Sequence, residues 1–197
     1  ALPLIRHGVA VGVFVLYSGE KNAFDDDTRR LLVEMAADIG FALENFSREA
    51  ERKAGEDELR KLSQALEQSP ESIVITDTAA HIEYVNQSFL DNSGYAREEL
   101  IGQNPRILNS GRTPNATYTA MWAALSLGLP WKGEFINRRK DGSEYVEFAI
   151  VTPLRQADGR ISHYVAVKED ISEKKRIGEE LDRYRHHLEE VVKSRTE

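Results

Sequence analysis

The chain has 197 residues, 41% of them hydrophobic, and a formal net charge of −7. This length predicts one compact domain of about 100–150 residues with attached segments, and the acidic balance argues against nucleic acid or an anionic membrane surface as a partner. The sequence contains no cysteine, which excludes disulfides, thiolate catalysis, zinc–thiolate sites and cysteinyl adducts and favours a cytoplasmic protein.

The N-terminal region predicts a strand followed by a long helix. Valines alternate from Val9 to Val15 within residues 3–17, a period-two pattern that is typical of a strand. The segment Asp25–Thr28 supplies an N-cap and an acidic first turn. The sequence has no signal peptide and no apolar run that could span a bilayer. Because Ala1 lies in what reads as a domain interior, we expect a fragment of a longer protein.

A heptad pattern runs along the predicted helix. Apolar residues alternate spacings of four and three, as in a coiled coil, at Leu32, Ala36, Ile39, Leu43, Phe46 and Ala50. The pattern fails at Lys53 and Gly55 and resumes in another register at Leu59, Leu62 and Leu66. We therefore predict a joint between domains near Gly55, although a frayed linker would give the same pattern.

The middle of the chain predicts an antiparallel sheet with short helices on one face. The long helical region ends at Ser69–Pro70, because a residue that precedes proline avoids the helical conformation. A further helix begins near Thr113–Pro114 and continues to Gly128. The Asp-Gly pairs at 141–142 and 158–159 predict hairpin turns. Strand patterns occupy residues 73–76, 82–85, 131–139, 144–154 and 161–167.

The C-terminal segment predicts a second coiled-coil helix. It begins after Asp170–Ser172, and its apolar residues step by four and three at Ile177, Leu181, Tyr184, Leu188 and Val191. Such a seam needs a partner helix, so a parallel homodimer is the simplest prediction. The alternative is that the seam packs back on its own domain.

Residues 64–175 resemble a PAS domain, and the resemblance is carried by FINRRKDG, YVEFAIVTPL and HYVAVKEDIS. It implies an α+β fold, in which a five-stranded antiparallel sheet has short helices on one face and coiled-coil helices on either side. Residues 1–46 resemble the C-terminal part of a GAF domain, in GVAVGVFVLYS and LLVEMAADIGFALENF. A helical linker over 47–63 and a signalling helix over 176–197 complete the expected organisation.

The segment GQNPRILN, residues 102–109, matches the one that holds a flavin in blue-light PAS domains. The reactive cysteine of those domains corresponds to Pro105 here, so adduct photochemistry is excluded. The resemblance places Asn104, Arg106 and Asn109 against the flavin tail and ring. An arginine fork suits a phosphate, and an asparagine amide both donates and accepts at a pyrimidine edge.

Two further residues are candidate flavin contacts. The resemblance places Asn137, a polar residue in an apolar strand row, against the pyrimidine edge of the ring. Trp122 matches a tryptophan of redox-sensing PAS domains that bind FAD, which makes FAD the expected cofactor. Each has a structural alternative, because Asn137 can be satisfied within the sheet and Trp122 can pack in the core.

Two positions depart from the light-sensing pattern. Glu147 stands where those relatives have an asparagine, and Lys168 stands at their glutamine position. They too are candidate cofactor contacts, but they can instead form an internal ion pair with no ligand at all.

Haem is another cofactor of PAS domains, and it needs an axial histidine. The predicted helix over 118–128 contains none. His81 and His163 are interpreted as structural residues, so no metal ligand is assigned.

The sequence contains no catalytic motif of its own. We predict the sensory and relay region of a dimeric bacterial signalling protein, in which Asp170, Ile171 and Ser172 pass a change from the sheet into the exit helix. An output domain would follow in the same chain, most simply a hybrid sensor histidine kinase. The alternatives are a relay and dimerisation module with no ligand or an unknown small one, and the input region of a diguanylate cyclase or phosphodiesterase.

Overall fold

The computed structural model describes residues 1–6, 8–20 and 24–196, with side chains given as far as residue 189. The chain divides into two compact units, Ala1–Ser63 and Gln64–Glu197. No described helix is both long enough and apolar enough to cross a membrane.

The first unit contains a hairpin where the sequence predicted one strand. Strands β1 (Leu2–Arg6) and β2 (Val9–Phe14) pair antiparallel in a two-stranded sheet. The prediction of a single strand over 3–17 is therefore wrong. The chain reverses at Gly8, whose φ of 78° lies in the left-handed region that glycine adopts without strain.

Helix α1 (Asp26–Glu67) is continuous over its whole length. It runs through Gly55 without a break, and the chain divides into its two units further along this helix, between Ser63 and Gln64. Of the predicted seam, Ala36 is buried while Leu43 and Phe46 are exposed. The neighbouring Gly40 lies so close to β1 that an added Cβ would be 2.9 Å from the Ile5 carbonyl oxygen. The first part of the seam therefore packs within its own unit.

The two glycines of α1 should respond in different ways to valine. We expect Gly40→Val to destabilise the first unit by about 1–3 kcal/mol, because the new side chain meets the backbone of β1. Gly55→Val, with nothing within 4 Å of its added Cβ, should change stability by only about 0.5 kcal/mol. Hydrogen exchange of the β1 and β2 amides measures both effects, and equal protection in the two variants would contradict the close contact at Gly40.

The second unit is built on one antiparallel sheet of five strands in the order β4-β3-β7-β6-β5. The strands are β3 (Ser72–Asp77), β4 (Ile82–Val85), β5 (Trp131–Arg138), β6 (Glu144–Arg155) and β7 (Ile161–Asp170). Between β4 and β5 lie α2 (Gln87–Ser93), α3 (Arg97–Leu100), a 3₁₀-helix (Pro105–Leu108) and α4 (Asn115–Ser126). The predicted fold class, an α+β domain with a five-stranded antiparallel sheet, is confirmed.

Buried side chains of the short helices form the core with one face of the sheet. Phe89, Leu100, Leu108 and Leu125 from the helical segments pack in one cluster with sheet residues that include Val74. The predicted hairpin turns are present, with Asp141 and Asp158 accepting hydrogen bonds from backbone N–H groups two residues later. Turn chemistry and alternating burial together account for this half of the domain.

Asn86 connects the last turn of α1 to the sheet. It is fully buried, and its Oδ1 accepts hydrogen bonds from the backbone N–H groups of Ile73 and Phe89. Its Nδ2 donates to the carbonyl oxygens of Leu66 and Glu71. A single side chain therefore joins α1, the start of β3 and the N-terminus of α2.

A second connection runs through Glu67, the last residue of α1. Its carboxylate pairs with Arg97 at 2.8 Å and accepts a hydrogen bond from the Tyr84 hydroxyl at 2.7 Å. Burial, followed by the hydrogen bond and charge of Glu67, raises the pKa of Tyr84 to about 12. The hydroxyl therefore stays protonated and keeps donating to Glu67 across the neutral pH range.

Candidate functional site

A cavity of about 370 Å³ lies between the inner face of the sheet and the helical segments. This size falls within the range of small-molecule sites, roughly 300–1,000 Å³. Its apolar wall is formed by Val74, Met121, Leu125, Phe135, Val151 and Ala166. Tyr118 stacks on Phe135 with ring centroids 5.5 Å apart, so a flat aromatic wall borders the space.

The segment before α4 forms the rim of the cavity. Asn104, Pro105, Arg106 and Asn109 all line it, as the sequence predicted for three of them. Asn104 caps the 3₁₀-helix by accepting a hydrogen bond from the Arg106 backbone N–H, and the Asn109 side chain accepts one from Gly111. The Arg106 residue is exposed, so its guanidinium can meet a ligand at the solvent-facing side of the cavity.

Three buried polar side chains meet at the inner wall, on adjacent strands. Asn137 on β5, Glu147 on β6 and Lys168 on β7 are only 5%, 3% and 7% exposed. Asn137 Nδ2 donates to Glu147 Oε1 at 2.7 Å, and Lys168 Nζ donates to the same oxygen at 2.6 Å. The contacts that both structural alternatives require are therefore present, because the Asn137 amide bonds within the sheet and Glu147 forms an internal ion pair with Lys168.

Tyr145, which no sequence pattern indicated, packs beside this group. It is buried opposite Asn137 in the β5–β6 register. Burial above all, and then the charge of Glu147, raise the pKa of its hydroxyl, while a hydrogen bond with Asn137 opposes the rise. The guanidinium of Arg139 lies over the Tyr145 ring, 4.3 Å from its centroid.

Trp122 lies at the cavity and not in the core. It is 41% exposed and lines the cavity, with its indole edge-on to Tyr164 at a centroid distance of 5.7 Å. The core-packing alternative for Trp122 is therefore wrong. Met121 and Trp122 of α4 both line the cavity, while only Leu125 of this helix is buried.

The lining includes several residues that sequence reasoning missed, among them Phe135 and Tyr164. Both share a strand face with predicted residues, because Phe135 is two positions before Asn137 and Tyr164 is four before Lys168. Period-two alternation from each polar residue would have identified them. Tyr118 and Asn115 on α4 carried no comparable signal, since their approach depends on how that helix packs.

The three predicted relay residues connect the sheet to helix α5 (Ser172–Thr196). Asp170 ends β7, accepts a hydrogen bond from the Ser172 N–H at 2.9 Å, and pairs with Arg139 at 2.5 Å. Ile171 N–H donates to the Val146 carbonyl at 2.9 Å, and Val146 N–H donates to Ser172 Oγ at 2.8 Å. The start of α5 is thus bonded to the residue next to Glu147.

The predicted seam of α5 faces solvent in the single chain. Ile177, Leu181, Tyr184 and Leu188 are all exposed, whereas the side chain of Val191 lies outside the described residues. The alternative that this seam packs back on its own domain is therefore wrong for the four described positions.

The described histidines near the sheet have carboxylate partners on the surface. His81 Nδ1 lies 2.9 Å from Asp77, and His163 Nε2 lies 3.1 Å from Glu83. Neither histidine lines the cavity. Among the described residues there is no group of three or more histidine, aspartate or glutamate side chains that could hold a metal ion.

Comparison with known proteins gives the family. Residues 70–173 match the model of the PAS domain, and residues 1–44 match that of the GAF domain. The nitrogen fixation regulatory protein of Klebsiella oxytoca is 36% identical over 127 residues, which cover 64% of this chain and 26% of that protein. The hybrid signal transduction histidine kinase L of Dictyostelium discoideum is 35% identical over 127 residues, which cover 63% of this chain and 7% of that kinase.

A solved structure agrees with this result. The dark structure of the blue-light photoreceptor Aureochrome1 LOV aligns with a TM-score of 0.52 and 29% identity, covering 58% of this chain and 85% of that one. The chain spans about a quarter or less of the two curated relatives, which are signalling and regulatory proteins. It belongs to the PAS domain family, with a GAF match over its first 44 residues.

Proposed function

We propose that this chain is the sensory and relay region of a signalling protein, and that its PAS cavity binds a flavin nucleotide, specifically FAD. The observation that carries this proposal is a cavity of about 370 Å³ whose lining includes aromatic rings and two cations, Lys168 and Arg106. Lys168 is buried at the inner wall, and Arg106 is exposed at the rim. A flavin nucleotide has a flat aromatic ring, a carbonyl-rich ring edge and a phosphate-bearing tail, which match these three features.

The polar groups of the inner wall fit the ring edge of a flavin. Lys168 Nζ carries three N–H donors, and Asn137 Nδ2 carries two. Each of the two residues uses one donor in its hydrogen bond to Glu147 Oε1. Further donors therefore remain for the carbonyl oxygens of the ring edge. Tyr118, Phe135 and Trp122 offer rings for stacking or edge contact. A bound flavin would supply reversible electron acceptance, and the protein would supply orientation and electrostatics.

The relay would run from the inner wall to α5 through contacts already described. Tyr145 packs beside Glu147 and under Arg139, and Arg139 pairs with Asp170 at 2.5 Å. Val146, next to Glu147, holds Ile171 and Ser172. A change in how Lys168 and Glu147 share their charge would therefore alter the anchoring of α5. The effect counts as allosteric only if α5 has two arrangements whose populations depend on the state of the cavity.

The exposed α5 seam supports a parallel homodimer, since a coiled-coil seam must bury its apolar residues against a partner helix. In this proposal residues 1–46 are part of a GAF domain, 47–63 a helical linker, 64–175 the sensor and 176–197 the signalling helix. The output would be a histidine kinase, supported by relatives such as the blue-light-activated histidine kinase 1 of Erythrobacter litoralis. A diguanylate cyclase or phosphodiesterase is the alternative output.

One observation favours a second candidate, a relay module that binds no ligand. The Glu147 carboxylate is satisfied by Asn137 and Lys168 without any other molecule. In this case the cavity would be incidental, and the domain would pass on changes that originate upstream. The two candidates differ in whether the purified protein binds FAD.

The test is FAD binding by the 197-residue chain and two matched variants. We expect the wild type to bind FAD with an absorbance band of bound flavin. Ala166→Leu, which fills the cavity, should weaken binding at least about tenfold, because the added atoms take up ring space. Val167→Leu, an exposed neighbour on the opposite face of β7, should bind like the wild type.

Removing the Asn137 amide should also weaken FAD binding at least about tenfold, provided that the variant Asn137→Ala still unfolds cooperatively. A wild-type protein that stays colourless after incubation with FAD would contradict the flavin proposal and favour the ligand-free relay. Equal binding by Ala166→Leu and the wild type would show that FAD occupies another place.

A further inference from the structure

The buried ion pair at the inner wall is oriented with its cation toward the cavity. Lys168 lines the cavity, whereas Glu147 does not. Lys168 Nζ lies 2.6 Å from Glu147 Oε1, and the same oxygen accepts a hydrogen bond from Asn137. The pair has no net charge, but its dipole presents positive charge to any molecule in the cavity.

The residues around the ion pair screen its electrostatic field less than water would. Lys168 is 7% exposed, and its Nζ lies 5.7 Å from the centroid of the Phe89 ring and 5.8 Å from that of Phe135. Apolar and aromatic walls lower the local dielectric constant, so a charge acts more strongly than it would in water. Among the described lining residues, the charged side chains are Lys168 and Arg106, and none is a carboxylate.

We propose that Lys168 makes the cavity selective for the reduced, negatively charged form of the flavin over the neutral oxidised form. The inference rests on the proposed function, because it concerns the same cavity. Two electrons and one proton, supplied by an external two-electron reductant, leave one negative charge on the flavin ring. Lys168 Nζ stabilises that charge, and Glu147 acts as a positioning residue that holds the ammonium at the wall.

The expected effect is a shift in relative affinity. Reduced FAD should bind the wild-type chain at least about tenfold more tightly than oxidised FAD, which raises the two-electron midpoint potential of bound FAD by about 30 mV over free FAD. The variant Glu147→Asn/Lys168→Gln replaces the ion pair with two uncharged amides and should lose the shift.

The experiment is an anaerobic dithionite titration of the FAD-loaded 197-residue chain, with redox dyes and absorbance spectra, after the dissociation constant of oxidised FAD has been measured. The control is Lys132→Met, which removes an exposed lysine of β5 that does not line the cavity. We expect the wild type and Lys132→Met to share a midpoint above that of free FAD. The uncharged double variant, saturated with FAD according to its own dissociation constant, should have a midpoint at or below the free value.

Three outcomes would overturn the inference, and one of them also overturns the proposed function. A wild-type midpoint equal to or below that of free FAD would contradict selectivity for the reduced form. Equal midpoints in the wild type and the double variant would contradict the role of Lys168 in that selectivity. Either result leaves the proposal of flavin binding intact. Failure of the wild type to bind oxidised FAD would overturn the proposed function and this inference together. The comparison of wild type with free FAD needs no variant, so misfolding of the double variant does not prevent a decision.

Discussion

Replacing Glu147 with leucine is expected to lower the free energy of unfolding of the PAS domain by about 3–5 kcal/mol. The variant leaves the ammonium of Lys168 buried at 7% exposure without its anionic partner. It also removes the acceptor of the Asn137 amide. Urea unfolding followed by circular dichroism measures the loss, provided that the transition is two-state.

The double variant Glu147→Leu/Lys168→Met should recover most of this loss, because a buried ion pair replaced by apolar side chains of similar volume is often neutral in stability. A double-mutant cycle then gives the coupling energy between the two residues. As a control, Glu169→Leu removes one partner of the exposed pair with Lys174 and should cost less than about 1 kcal/mol. A Glu147→Leu variant as stable as Glu169→Leu would show that Lys168 reaches solvent.

Asn86→Ala should destabilise the domain by about 2–4 kcal/mol, through loss of an N-cap and of partners for buried backbone groups. Asn86 is fully buried, and its amide bonds to five backbone groups, on Leu66, Ser69, Glu71, Ile73 and Phe89. The loss should be accompanied by faster hydrogen exchange in the last turn of α1 and the first residues of β3, because Asn86 joins these two segments.

The matched control is Asn92→Ala, on the helix α2 that Asn86 caps. Asn92 is half-buried and donates one hydrogen bond, to Ser72 Oγ at 3.1 Å, so its loss should cost less than about 1 kcal/mol. If Asn86→Ala and Asn92→Ala have the same midpoint in urea, Asn86 does not hold α1 to the sheet. If only Asn86→Ala is destabilised and the end of α1 stays protected, Glu67 with Arg97 is the dominant connection.

The sequence by itself determined the sheet, its hairpins and the chemistry that is excluded. Alternating apolar residues and the Asp-Gly turns define β5, β6 and β7, because a strand buries alternate side chains and a tight turn needs particular residues at fixed places. The absence of cysteine and the proline at 105 rule out an adduct with no reference to structure. These features depend on neighbours within a few positions along the chain.

Only the tertiary structure decided which polar groups meet. Asn137, Glu147 and Lys168 belong to three strands, and their shared oxygen depends on the register of β5 with β6 and of β6 with β7. The same is true of Asn86, whose partners are up to 20 residues away, and of the hairpin at Gly8, which a period-two pattern cannot distinguish from one long strand. Local pattern decides which face of an element is apolar, whereas a buried polar contact depends on how separate elements pack, and that is set by the free energy of the whole fold.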